Sequence, residues 1–507
     1  MISFSQCRQR AGLSVEEVGE LLKLSVETIA DYERGARLPR PREIQILKGL
    51  ALSVAAKSAK SEVTESNLIR VQSGGLGLGV ALQGLGGMRH LKPFDKISNL
   101  ALADRPDNKG NVKPSAMADT VPRLTFYEFF AGVGMAKAGL AEGWTCVFAN
   151  DFDKTKARVY RENWGDELRC CDVATLSAAE LPGVADLAWA SFPCQDLSLA
   201  GDYRGLGECD QNERTRSGAF WPFWALIKRL ANEGRAPKAI MLENVCGAIT
   251  ARGGKDFAAI ATAVIEAGYR FGALVVDAVW FVPQSRPRLF IFAIKRDAHI
   301  PPGLIDATPT DRWHPPSLLA ARATLPAAVR QNWIWWRLPL PRKRKEVFSD
   351  VIEDDPTGVE WDSPTETIRL LAMMSDLNKQ KVRAAKVSGR RIIGGVYKRT
   401  RMKDGVKVQR AEVRFDNVSG CLRTPRGGSS RQRILVIEGN NIRSRLLSPR
   451  EAARLMGLPD SFKLPANYNE AYHAAGDGVV VGVVRHLARN LIEPALGVGE
   501  EPPQAAE

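Results

Sequence analysis

Between Leu124 and Ile294 six short apolar runs, LTFYEFF, TCVFAND, DLAWASF, AIMLENV, GALVVDAV and RLFIFAI, recur between amphipathic stretches such as FWPFWALIKRLANEG. Strands separated by helices pair in parallel, and the helices then cover both faces of the sheet. The order therefore predicts an α/β, Rossmann-like domain. From about Lys295 to Asn440 the alternation stops, and a helical pair, PREAARLMG and VVVGVVRHLARNLIE, follows. A second domain inserted before the end of the first accounts for both observations.

The chain also extends upstream of this pattern. Residues 4 to 50 carry apolar residues at helical spacing with short breaks, which predicts a small all-α unit. Ser14 and Glu17 complete a capping box, whereas Ser25 and Thr28 mark a helix start without one. The stretch that follows has no sustained period, and Val71 to Met88 holds seven glycines in eighteen residues, as a linker does. Lys and Arg number 71 against 57 Asp and Glu, a net charge of +14 that favours a polyanionic partner. Between Lys379 and Arg414 there are 13 basic and 2 acidic residues, net +11. The eight cysteines form no CxxC pair, so neither a disulfide framework nor a metal site is expected, and a reducing cytoplasm fits. No membrane span or secretion signal is visible.

In a doubly wound sheet the ligand crevice lies at the carboxyl ends of the strands. There the first strand runs into a turn containing Phe130, Gly132 and Gly134, suited to close backbone approach by a nucleotide-like ligand. The second strand ends in Asp151 and Phe152, a carboxylate for ribose hydroxyls and a ring for adenine; the third ends in Asp172, available to an exocyclic amine. The fourth leads into Pro193-Cys194-Gln195, where a thiol of ordinary pKa about 8.5 needs nearby cations or amide donors to ionise. AIMLENV places Glu243 at the next strand end, and VPQSRPRLFIFAI supplies Gln284, Arg286 and Arg288. A thiol, a carboxyl and two guanidiniums thus converge on one crevice. Singly, each has a structural alternative: a core cysteine or a salt-bridged strand residue.

Taken in order, Phe130 to Met135, Pro193-Cys194-Gln195, Glu243-Asn244-Val245, Gln284 to Arg288 and the later helix with Glu451, Arg454, Leu455, Gly457 and Pro459 resemble the ordered motifs of the DNA cytosine-5 methyltransferase family. The resemblance implies S-adenosyl-L-methionine as cofactor, bound by Phe130, Gly132, Gly134, Asp151, Phe152, Asp172 and Asp477, and no metal. It implies Cys194 as nucleophile towards a flipped cytosine, Glu243 at ring N3 and the amine, Arg288 at O2, and Arg286 steadying the loop or a phosphate. The insertion becomes a target-recognition domain for double-stranded DNA. Gln284, Thr424 and Arg426 are further expected DNA contacts, and Tyr397 is expected to reach into a groove.

Two positions depart from the family pattern. Met135 replaces the second of paired glycines, so it either crowds the cofactor or covers the helix start. Gly476-Asp477-Gly478 stands where Gly-Asn-Ser is usual, removing an amide and a hydroxyl.

Arg8, Gly12, Leu13, Ser14, Ser25, Thr28, Ile29, Tyr32, Glu33, Arg34 and Gly35 resemble the helix-turn-helix signature of the Cro and phage-repressor family. That resemblance implies a recognition helix with Ser25, Val26, Glu27 and Thr28 near base edges and Arg37 near phosphate, and operator DNA as a second partner. Glu27, an acceptor only, suits a cytosine amine. A protein-docking module that has lost DNA binding is the alternative.

The expected layout is 1–55 helix-turn-helix, 56–121 linker, 122–298 catalytic domain, 299–440 target recognition, 441–496 return to the catalytic domain and 497–507 tail. The expected function is a cytoplasmic, nucleoid-associated modification methylase paired with a restriction endonuclease. An RNA (tRNA) cytosine-5 methyltransferase and a DNA-binding regulator with an inactive methylase body are the alternatives.

Overall fold

The computed structural model describes residues 8–9, 13–22, 24–34, 123–193, 208–209, 213–214, 216–403, 406–423 and 430–498. Two compact units divide the chain, Met1–Lys113 and Pro114–Glu507.

In the first unit α1 (Val15–Leu22) and α2 (Val26–Arg34) pack through Val18, Ile29 and Tyr32. Ser14 and Glu17 cap α1 reciprocally: the Glu17 amide donates to Ser14 Oγ at 3.1 Å and the Ser14 amide to Glu17 Oε2 at 2.7 Å. Arg8 pairs with Glu33 at 2.7 Å and donates to the Leu13 carbonyl at 3.0 Å, tying together three signature positions.

The second unit is built on β1 (Leu124–Phe129), β2 (Trp144–Asp151), β3 (Leu168–Cys170), β4 (Leu187–Ala190), β5 (Ala239–Val245), β6 (Tyr269–Asp277) and β7 (Pro287–Lys295). Their spatial order is β3-β2-β1-β4-β5-β7-β6. The first five pair in parallel, and β7 runs antiparallel to both neighbours. Strands covered on both faces read as continuous apolar runs, and β4 and β5 are buried almost throughout. Alternate residues feed two cores. Phe126, Trp189, Met241 and Phe292 pack with Val484 and Leu487 on one face, and Phe129, Ala188, Ile240 and Ile291 pack with Phe223, Ile227 and Ile260 on the other. Helices α3 (Met135–Leu140), α4 (Lys154–Trp164), α5 (Phe220–Asn232) and α6 (Lys255–Glu266) are the amphipathic stretches of the sequence. The order reverses between β1 and β4, which opens the crevice at their carboxyl ends.

The inserted part has its own antiparallel sheet, β8 (Arg391–Lys403), β9 (Val406–Arg414), β10 (Arg433–Glu438) and β11 (Asn441–Leu446), in the order β9-β8-β10-β11. Helices α7 (Pro364–Ala372) and α8 (Asp376–Val387) cover it through Leu370, Val382 and Ala385. This sheet reaches past residue 440, because β11 completes it. Upstream, Leu318, Val329 and Trp333 join one core of the large sheet and Ile334 and Trp336 the other, so residues 318–336 are catalytic-domain cover. Helices α9 (Pro449–Arg454), α10 (Tyr468–Gly476) and α11 (Val481–Leu487) return the chain to that sheet.

Candidate active site

Glu243, at the carboxyl end of β5, is 7% exposed, and its Oε1 lies 3.3 Å from Arg288 Nε at the start of β7. Because β7 is antiparallel, its amino end meets the carboxyl end of β5, with Val245 opposite Arg288. Asn244, next along β5, donates from Nδ2 to the Phe192 carbonyl at 3.1 Å. It thereby fixes the segment that follows β4 as far as Phe192. Cys194 lies outside the described residues, as do Thr424, Arg426 and Arg37.

Arg286 is buried beneath this pair. Its Nη1 donates to the Leu422 carbonyl at 3.0 Å and its Nη2 to the Gly476 and Gly478 carbonyls at 2.9 and 2.8 Å. It holds loops together and faces no surface. Gln284, expected at DNA, is fully buried. Its Nε2 donates to the Leu455 carbonyl at 2.7 Å and its Oε1 accepts the Leu422 amide at 3.0 Å, so both ends of the amide are used inside the protein. Tyr397, expected in a groove, turns inward: its hydroxyl reaches Gln432 Oε1 at 3.4 Å and fills the space beside Gly420.

Sequence reasoning passed over Cys421. Its Sγ lies 3.3 Å from Arg286 Nη1 and 3.8 Å from Arg288 Nη2. Burial pushes this thiol up, yet the two guanidiniums hold it below its ordinary value. Cys246, beside Glu243 in sequence, is pushed up to about 11 by burial. No spacing rule marks Cys421, because its partners lie more than a hundred residues upstream.

At the other end of the crevice the glycine turn follows β1. Gly132 and Gly134 have φ of 58° and 80°, and Phe130 shares the left-handed region at 56°. A Cβ built on Gly132 meets nothing within 4 Å, whereas one on Gly134 would overlap Trp164 and Tyr160. Gly132 thus opens onto free space and Gly134 packs the turn against α4. Asp151 was expected to accept ribose hydroxyls. It is 7% exposed, and its Oδ2 and Oδ1 accept the Gly132 and Asp153 amides, both at 2.8 Å, so its carboxylate shapes the turn. Burial raises its pKa against the opposing field of Lys156.

Phe152 is 65% exposed, a ring free to stack. Asp172 is exposed, and its Oδ1 accepts the Ala174 amide at 2.9 Å. Open backbone at Gly132, a bare aromatic ring at the end of β2 and a carboxylate just past β3 fit an adenosyl group. Asp477 pairs with Lys156 at 2.8 Å.

At the start of α2, Ser25, which precedes the helix, and Val26 and Glu27 within it are exposed; Ser25 Oγ accepts the Thr28 amide at 3.2 Å and lies 2.9 Å from Thr28 Oγ1. In the basic run, Arg391 pairs with Asp354 and Glu438, Arg399 with Glu412 and Arg414 with Asp416, so part of its charge is met by carboxylates. Among the described residues no group of three His, Cys, Asp or Glu is placed to hold a metal, and no helix is long and apolar enough to cross a membrane.

Residues 124–493 match the family described as C-5 cytosine-specific DNA methylase. The chain belongs to this family. Residues 4–55 match a helix-turn-helix domain. Type II methyltransferase M.HhaI of Haemophilus parahaemolyticus is 24% identical over 371 residues, covering 73% of this chain and 94% of that protein. M.NlaX of Neisseria lactamica is 26% identical over 368 residues, covering 72% and 95%. The solved structure of the S. pombe Dnmt2 methyltransferase aligns with a TM-score of 0.45 at 16% identity, covering 73% of this chain and 99% of that one.

Proposed function

We propose that this C-5 cytosine methylase transfers a methyl group from S-adenosyl-L-methionine to carbon 5 of a cytosine flipped out of a specific duplex site, as the modification partner of a restriction endonuclease in the cytoplasm. The observation that carries the reading is the Glu243–Arg288 pair at 3.3 Å, with Glu243 on β5, the neighbour of the strand leading to Pro193-Cys194, and Arg288 on β7 beyond it. Carbon 5 of cytosine is a poor nucleophile. Addition of the Cys194 thiolate to carbon 6 makes an enamine whose carbon 5 takes the methyl; loss of the carbon-5 proton then expels the thiolate. Glu243 hydrogen-bonds N3 and the exocyclic amine, and Arg288 grips O2. Gly132, Phe152 and Asp172 hold the cofactor, Asp151 fixes the turn, and the cofactor supplies an electrophilic methyl on its sulfonium. Extruding the base costs a few kcal/mol, which contacts from the inserted domain offset.

The test is covalent capture. Duplex DNA carrying 5-fluorocytosine in the target site cannot lose a proton from carbon 5, so a protein–DNA adduct stable to denaturation is expected, and Cys194→Ser abolishes it. Methyl transfer into plasmid by Cys194→Ser would overturn the reading, and methylation of transfer RNA but not plasmid would replace the substrate. The exposed Ser25–Glu27 end of α2 supports a second proposal, that the amino-terminal unit binds operator DNA and represses this protein's own transcription. A footprint upstream of the coding region checks it, and no protected site there removes it.

A further inference from the structure

The two departures from the family pattern touch each other. Met135, the first residue of α3, is 2% exposed, and a Cβ built on Gly478 would overlap its Sδ and lie 3.1 Å from its Cγ and Cε. Gly478 does not have a positive φ, so space and not backbone conformation demands the glycine. The bulk missing at 478 is the bulk present at 135. Next to it, Lys156 of α4 meets Asp477 at 2.8 Å and lies in the fields of Asp151 and Asp153. Asp151 in turn holds the Gly132 amide, and Arg286 takes the Gly476 and Gly478 carbonyls. Residues 476–478 are therefore held to the start of α3 by a thioether, to α4 by an ion pair and to the segment before β7 by a guanidinium.

We propose that Met135 with Gly478, and Lys156 with Asp477, act as paired positioning residues that set the affinity of this crevice for the sulfonium cofactor. This rests on the cofactor reading above. The exchange of bulk keeps the wall closed where the family carries a serine, and the ion pair replaces a neutral amide by charge. Single reversion to the family residue is then harmful, and reversion together with a smaller residue at 135 is not.

The experiment is a double-mutant cycle on the full chain with Gly478→Ser, Met135→Ala and the double variant. It reads the thermal midpoint and, by calorimetry well below every midpoint, the dissociation constant for S-adenosylhomocysteine. Overpacking predicts that Gly478→Ser lowers the midpoint and weakens binding about tenfold, and that the double variant returns to within about threefold of the parent. Asp477→Asn, which keeps shape and removes charge, is expected to weaken binding and flatten its dependence on ionic strength, a readout that packing alone does not move. Additive losses in the double variant, or parental affinity in Gly478→Ser, overturn the packing half. An unchanged salt dependence in Asp477→Asn overturns the charged half. If the parent itself binds no cofactor, the cofactor reading fails, while the midpoints still report whether positions 135 and 478 share one space.

Discussion

Glu128 sits in the middle of β1, 1% exposed, and burial pushes its carboxyl up to about 8. The Lys137 amide and ammonium and the Ala136 amide oppose the shift, and Glu167 adds to it. Its Oε2 has no hydrogen-bond partner, so nothing at that oxygen offsets the cost of burying the ionised form. With an ordinary value near 4.5 in the unfolded chain, the folded state binds the proton more tightly. The associated stability is fully present below about pH 4.5 and is lost as pH rises through about 8. At about 1.4 kcal/mol per pH unit, raising pH from 5.5 to 8 removes about 3 kcal/mol. Glu128→Gln is isosteric and does not titrate. Urea unfolding followed by tryptophan fluorescence at both pH values gives the contribution as the difference between parent and variant. An identical pH slope in Glu128→Gln and parent would refute the argument.

Three further outcomes are expected. Glu451→Gln strips a fully buried partner from Arg445, which it meets at 2.6 Å, and urea unfolding should show a loss of about 3–5 kcal/mol. Gly134→Ala forces a side chain into a φ of 80° and against Trp164, and should lower stability by roughly 2–4 kcal/mol in the same assay. Arg288→Ala should leave cofactor affinity within about twofold while single-turnover methyl transfer falls about a hundredfold or more; equal losses in both would remove Arg288 from the base pocket.

The large sheet was legible because its inner strands are covered on both faces and read as apolar runs, with the chemistry concentrated at one end, whereas the short edge strand β3 (Leu168–Cys170) gives no such run. Glu243 and Arg288 follow from that rule. Gln284 and Arg286 do not, since a polar residue in a basic motif looks the same whether it meets solvent or a carbonyl. What buries them, residues 419–422 and 476–478, comes from far down the chain. Asp151 shows the same limit: a carboxylate at a strand end was readable, but its use by the Gly132 amide depends on the turn's geometry. The edges of the insertion were hidden because Trp333, Trp336 and their neighbours follow no helical or strand period, yet they pack on the large sheet.

The seam around residues 283–286 bears on which parts of the insertion can be exchanged. Ser285 and Ser419 exchange backbone hydrogen bonds with this strip, the Ser285 amide reaching the Ser419 carbonyl at 2.9 Å and the Ser419 amide the Pro283 carbonyl at 2.7 Å, while Gln284 and Arg286 stitch Leu422 to it. A transplanted insertion that brought its own version of 419–422 would remove the partners of Gln284 and Arg286 beside the Glu243–Arg288 pair. Grafts that keep this short hem from the host and exchange only what lies outside it are the ones that should retain a working centre.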